Sequence, residues 1–168
     1  MAEVWTPPAF DDVSTGETVT ASQLNAFGNS LRYLEEVDYN EQATDVAVTA
    51  TTAATANTVV SGNTRTYEAV PHWIEMYAPR VDQAASTCFL LLCDGSTVIG
   101  TLTRFAASQN QMPILVKRRI TPTAASHTYN VRAYVGSGTW TFQAGSGGAA
   151  GDATTDFPIY IWQYRIAT

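Results

Sequence analysis

The sequence predicts an all-β protein, an antiparallel β-sandwich preceded by an extended N-terminal arm and one short amphipathic helix. Three observations lead there. Charged residues make up 14% of the 168 positions, well under the usual quarter, and Thr-, Val- and Ala-rich runs such as "VAVTATTAATANTVVSGNT" replace them. After Asn40 the apolar residues recur in short segments bounded by Gly, Ser, Asn and Asp, without a helical period. One earlier stretch, "TGETVTASQLNAFGNSLRYLEE" (15–36), shows the helical period instead.

Residues 1–18 read as an extended arm, because Pro7 and Pro8 deny both helix and sheet ladder and "DDVSTGET" is turn chemistry. Trp5 and Phe10 are too large to leave loose in water, so they are expected to pack on the domain, a neighbouring subunit or a partner. The helix is expected to start at Thr20, an N-cap whose capping box is completed by Gln23, with Val19 and Leu24 as the hydrophobic staple. Leu24, Phe27, Leu31 and Leu34 then make a short apolar seam, opposite a wet face of Asn25, Asn29, Arg32, Glu35 and Glu36. Such a helix, about 24 Å long, is marginal alone, and Gly28 in its middle costs about 1 kcal/mol relative to Ala. It must pack on something. Residues 1–40 are therefore read as an anchoring and oligomerisation segment, and 41–168 as the β domain.

Strands are expected near 42–50, 56–60, 64–70, 72–80, 86–93, 97–106, 112–120, 127–136, 139–143 and 157–167. "CDGST" is the clearest tight turn. Tyr129, Val131, Ala133 and Val135 alternate with Asn130, Arg132 and Tyr134, the mark of a half-buried strand. Ile159, Ile161 and Gln163 alternate with Tyr160, Trp162 and Tyr164, so the last strand is apolar on both faces and should lie centrally or meet another subunit. This many short strands without intervening helices point to a sandwich, most simply a jelly roll. Cys88 and Cys93, five apart, should point to opposite faces of one strand and stay unbridged.

Charge excludes some partners. Residues 1–45 hold nine acids against one base, Arg32, whereas the rest holds eight Lys and Arg against six Asp and Glu. An acidic first quarter repels phosphates, and the lone basic cluster, "VKRRI" (116–120), reads as edge-strand protection or a subunit contact. No nucleic-acid partner is expected. "CFLLLC" is too short to cross a bilayer and residues 2–12 lack the regions of a secretory signal. The expectation is a chain made soluble in the cytoplasm, without membrane insertion.

Catalytic chemistry finds little support. His72 and His127 are the only histidines, no nucleophile elbow accompanies Ser126 and His127, and no metal-ligand spacing or phosphate loop occurs. The expectation is a non-enzyme without cofactor or metal. The aromatic residues offer more. Trp140, Tyr160, Trp162 and Tyr164 suit either a subunit contact or stacking on a glycan, and the subunit contact is preferred.

Two segments carry a resemblance. Trp5 in the arm, then Gly16-Glu17-Thr18-Val19-Thr20-Ala21, Leu24-Asn25 and Asn29 to Leu34 resemble an anchoring motif of tailed-bacteriophage virion proteins. "TPTAASHTYNVRAYVGSGTWTFQAG…FPIYIWQYRI" resembles the second half of a C1q/TNF-like jelly roll. Together they cover about half of the chain. Gly28 departs from an uninterrupted helix. The resemblance implies a homotrimeric structural protein of the virion exterior, of minor-tail or short-fibre type, with a capsid decoration protein or head fibre as the alternative. Its partners would be its own copies and other virion proteins. A carbohydrate-binding host adhesin, contacting a surface glycan, is the third reading.

Overall fold

The computed structural model describes residues 34–82, 86–107, 111–147 and 156–166. The strands are β1 (Leu34–Gln42), β2 (Val46–Val48), β3 (Asn57–Ser61), β4 (Arg65–Thr66), β5 (His72–Asp82), β6 (Cys88–Asp94), β7 (Thr97–Phe105), β8 (Met112–Ile120), β9 (Ser126–His127), β10 (Tyr129–Val135), β11 (Trp140–Gln143) and β12 (Ile159–Ile166). All pairs are antiparallel. One sheet runs β1-β12-β5-β8, with β11 and β2 continuing alongside the far end of β5; the other runs β3-β10-β6-β7. Apart from the β6–β7 hairpin, successive long strands from β1 to β10 alternate between sheets in the nested Greek-key order of a jelly roll, the fold expected from many short strands without intervening helices. β4 and β9 form a two-stranded ribbon at one end.

Alternation explains how the sheets meet. In β5, His72, Ile74, Met76 and Ala78 are buried between the sheets, while Trp73, Glu75 and Tyr77 face out. In β12, Ile159, Ile161 and Gln163 are buried and the aromatic residues take the outer face, and β12 is central, between β1 and β5. β10 supplies Val131, Ala133 and Val135 from the opposite sheet. Pro79 interrupts β5 where its pairing with β8 shifts register between Ala78 and Val81, a bulge that spares a missing N–H. Cys88 joins the main core and Cys93 a second cluster with Ala56 and Leu91 on the outer side, so the two thiols stay unbridged on opposite faces.

The start of the domain differs from expectation. Leu34, assigned to the last position of the helical seam, begins β1 and pairs with Ile166; Glu35 and Glu36, assigned to the helix's wet face, follow it in the strand. The sandwich therefore includes residues 34–40, which the sequence reading gave to the anchor. The helix from Thr20 onward otherwise lies outside the described residues.

The cause of this misreading is an inverted pattern. β1 turns Asp38 inward and Tyr39 outward, opposite to what hydropathy dictates. Asp38 is nevertheless satisfied. It accepts from the Asn63 N–H (2.7 Å), Asn63 Nδ2 (2.9 Å) and Arg65 Nε (3.2 Å), with Gln163 Nε2 at 3.4 Å. Tyr67 donates its hydroxyl to Gln163 Oε1, and Asn40 Nδ2 donates to Ser61 O at 2.8 Å. A buried carboxylate persists where its lone pairs are filled, and here the loop after β3 fills them. Gly62 in that loop approaches so closely that an added Cβ would lie 2.5 Å from Gln163 Nε2 and 2.9 Å from Tyr129 O.

Candidate functional site

The outer face of the β1-β12-β5-β8 sheet is the chemically richest surface described. Register places Glu41, Tyr160, Tyr77 and Leu115 in one row, Tyr39, Trp162, Glu75 and Lys117 in the next, and Glu36, Tyr164, Trp73 and Arg119 in the third. Six aromatic rings thus stand on one face. Trp162 and Tyr164 lie 4.6 Å apart, and Lys117 Nζ sits 4.8 Å and 4.7 Å from the ring centres of Trp73 and Tyr164. Each acid serves a ring: Tyr39 donates to Glu41, Tyr160 to Glu75 at 3.0 Å, and Trp162 Nε1 to Glu36 at 2.9 Å. Burial, followed by these carboxylates, pushes the Tyr39 and Tyr160 phenols up to about 12.

At one end this face opens into a cleft of about 340 Å³. Tyr160 is the middle ring of a stack, 5.7 Å from Tyr39 and 5.5 Å from Tyr77, and these three line the cleft with Glu41. Phe157, Pro158 and Ser146 complete the lining. Phe157 is 66% exposed yet held. The Gly147 N–H donates to Asp156 O at 3.1 Å, Gly145 N–H to Phe157 O at 3.3 Å, and Arg80 pairs with Asp156 at 3.3 Å. Gly147 has φ +73, and a Cβ there would come 3.2 Å from the Phe157 ring. The glycine lets this ring lie against the backbone.

The aromatic positions singled out from the sequence divide. Tyr160 and Trp162 are half-buried on the outer face. Trp140 is not: at 1% exposure it sits in the core, donating Nε1–H to Ser86 O at 2.8 Å, because β11 turns it inward beside Phe142. Tyr164 is 2% exposed, covered in part by Lys117, and offers a partner little surface. Trp5, Phe10, Val19, Leu24, Phe27 and Leu31 lie outside the described residues. Sequence reasoning missed Tyr39, Glu41, Tyr77 and Phe157 as one site. Tyr39 and Tyr77 do fall at alternating strand positions, but nothing local announces that Phe157 joins them.

His127 is the other cluster of interest. Its Nδ1 lies 2.6 Å from Asp94 Oδ2, and its Nε2 lies 3.0 Å from Thr123 Oγ1 and 3.2 Å from Thr123 O. Adjacent Ser126 instead faces Thr66, and Asp94 Oδ1 accepts from the Thr128 N–H at 3.0 Å. With oxygen acceptors at both ring nitrogens, the imidazole ties the β6–β7 turn to the β9 ribbon. Among the described residues no group of three or more His, Cys, Asp and Glu is placed to hold a metal ion, and no helix is long and apolar enough to cross a membrane.

No protein-family model and no curated protein matches the sequence. Solved structures give loose likenesses. The C-terminal domain of EclA, described as a sugar-binding protein, superposes with a TM-score of 0.39 at 13% identity, over 62% of this chain and 76% of that one. A structure titled "CBM4 structure and function" gives 0.33 at 13% identity, over 79% and 92%. The C-terminal CBM6 of LamC from Zobellia galactanivorans gives 0.30 at 15% identity, over 77% and 92%. Superpositions this loose carry no weight for what this chain binds.

Proposed function

We propose that this chain is a small structural protein of the exterior of a tailed-phage virion, of minor-tail or short-fibre type, assembled as a homotrimer and working without catalysis or cofactor. One observation carries the assembly: the open edge of the sandwich is apolar. Among the described residues β7 and β8 each pair on one side only. Val98, Ile99, Met112 and Leu115, four of the six most exposed large hydrophobic side chains, lie on these two strands, with Leu115 at 64% exposure. Scattered exposed apolar residues need no explanation, but their concentration on two edge strands does, with Leu115 beside Tyr77 on the outer face of one sheet and Val98 beside Cys93 on the outer face of the other. Ladder addition is discouraged there, since β7 carries two register shifts against β6 and β8 carries Pro113, Lys117, Arg118 and Arg119. A second copy would therefore pack by side chains, giving a closed ring when the contact is head-to-tail. The phage assignment rests on the resemblance of residues 5–34, which would anchor the domain.

Light scattering at tens of micromolar is expected to give a three-chain mass, reduced to one chain by Leu115→Asp or Ile99→Asp. A strictly monomeric parent protein overturns the trimer. Leu31→Asp is expected to abolish incorporation into particles. Immunogold labelling of purified particles is expected at the tail; labelling of the head selects the decoration-protein or head-fibre alternative, and unlabelled particles overturn the virion reading.

A further inference from the structure

We propose that the cleft between the Tyr39–Tyr160–Tyr77 stack and Phe157 is a binding site for one neutral pyranose ring, presented by a glycan. On β8, Leu115 stands next to the Tyr77 end of this cleft, whereas Val98 and Ile99 of β7, also invoked for assembly, belong to the other sheet.

The lining selects an amphipathic ring. Tyr39, an end ring of the stack, is 42% exposed, and Phe157 lines the same cleft from a loop held by the Gly145 and Gly147 hydrogen bonds. The same cleft is lined by two polar residues, Glu41 and Ser146. A purely apolar ligand would strip water from the Glu41 carboxylate and return nothing. A purely polar one would leave the walls uncovered. A pyranose presents C–H patches to aromatic rings and equatorial hydroxyls to a carboxylate, so it meets both demands at once. At about 340 Å³ the cleft lies at the small end of ligand sites, the scale of a sugar unit and not of an extended peptide.

Charge narrows the class. Glu41 borders the cleft, Glu75 accepts the Tyr160 hydroxyl, and Arg80 is paired with Asp156. The site therefore disfavours sialic and uronic acids. A quaternary ammonium group also likes aromatic rings beside a carboxylate, but it requires rings boxed around it. Here the tyrosines are tilted only 35° and 27° from one another, a stack and not a box.

The test is a glycan array carrying hexose- and N-acetylhexosamine-terminated glycans beside sialylated and uronic-acid ones, with the full chain as probe, followed by titration of the best hit. Neutral glycans are expected to be retained, with affinity lost at least about tenfold in Phe157→Ala and in Tyr39→Ala. The light-scattering mass should be unchanged in both variants, and the melting temperature in Phe157→Ala, whose side chain is 66% exposed. Glu41→Gln is expected to admit sialylated glycans. The proposal is overturned if no glycan is retained, if only anionic glycans bind, if both aromatic variants bind as the parent does, or if tetramethylammonium competes with the glycan. The trimer is tested apart from these outcomes by Ile99→Asp, which lies in the other sheet and should leave glycan binding unchanged.

Discussion

Replacing Gly62 by Ala should damage the fold at one point through sterics alone. Gly62 lacks a positive φ, so alanine meets no backbone penalty there. Its Cβ, however, would lie 2.5 Å from Gln163 Nε2, 2.7 Å from Asp38 Oδ2 and 2.9 Å from Tyr129 O. None of the three can yield cheaply. Tyr129 O is backbone and accepts the Gly62 N–H at 2.9 Å, while Asp38 and Gln163 are buried and bound on several sides. Overpacking of this kind costs about 1–3 kcal/mol, and separating Asp38 from Gln163 leaves a buried amide unpaired at about 1–3 kcal/mol more. The alanine returns about 0.4–1 kcal/mol by restricting the unfolded chain. A net loss of about 3 kcal/mol lowers Tm by roughly 6–12 °C for a chain of this size. Calorimetry measures it, with Gly100→Ala as control, where nothing lies within 4 Å of the added Cβ and Tm should hold or rise slightly. An unchanged Tm for Gly62→Ala would refute the view that the Asp38 network is rigid and close-packed.

Other expectations follow from the same coordinates. Trp140→Ala should cost about 3–5 kcal/mol in chemical denaturation, since it opens a cavity in the core and strands the Ser86 carbonyl. In alkaline titration read by phenolate absorbance, Tyr39, Tyr129 and Tyr160 should resist ionisation, each being pushed up to about 12, chiefly by burial. Between pH 10 and 12 the folded phenols keep protons that the unfolded chain has lost, so stability is full below 10 and declines across that interval; a denaturation midpoint that rises with pH there would contradict the burial of these rings. Cys88 and Cys93 should be inert to a thiol reagent in the native protein and both reactive in denaturant, because both are buried and burial pushes the Cys88 thiol up to about 12.

Much of the architecture is legible in the chain, because a strand's period of two is a local property. The alternation in 129–135 marks which side chains meet the opposite sheet, opposite parity keeps Cys88 from Cys93, and the Lys117–Arg119 run marks an edge. What local pattern cannot encode is the partner. β1 reads as helix and wet surface because its inward residues are Asp38 and Asn40; they are inward only because Asn63, Arg65 and Ser61 come across to satisfy them. Trp140, read as a contact residue, is core because β11 lies between β2 and β5. The cleft joins Tyr39 and Glu41 to Phe157, which are near one another only because the last strand pairs with the first. Sequence by itself determined the long strands from β5 onward through short-range sterics and hydropathy. Tertiary structure decided which polar groups are worth burying and which aromatic rings share a site, since both depend on contacts between distant segments.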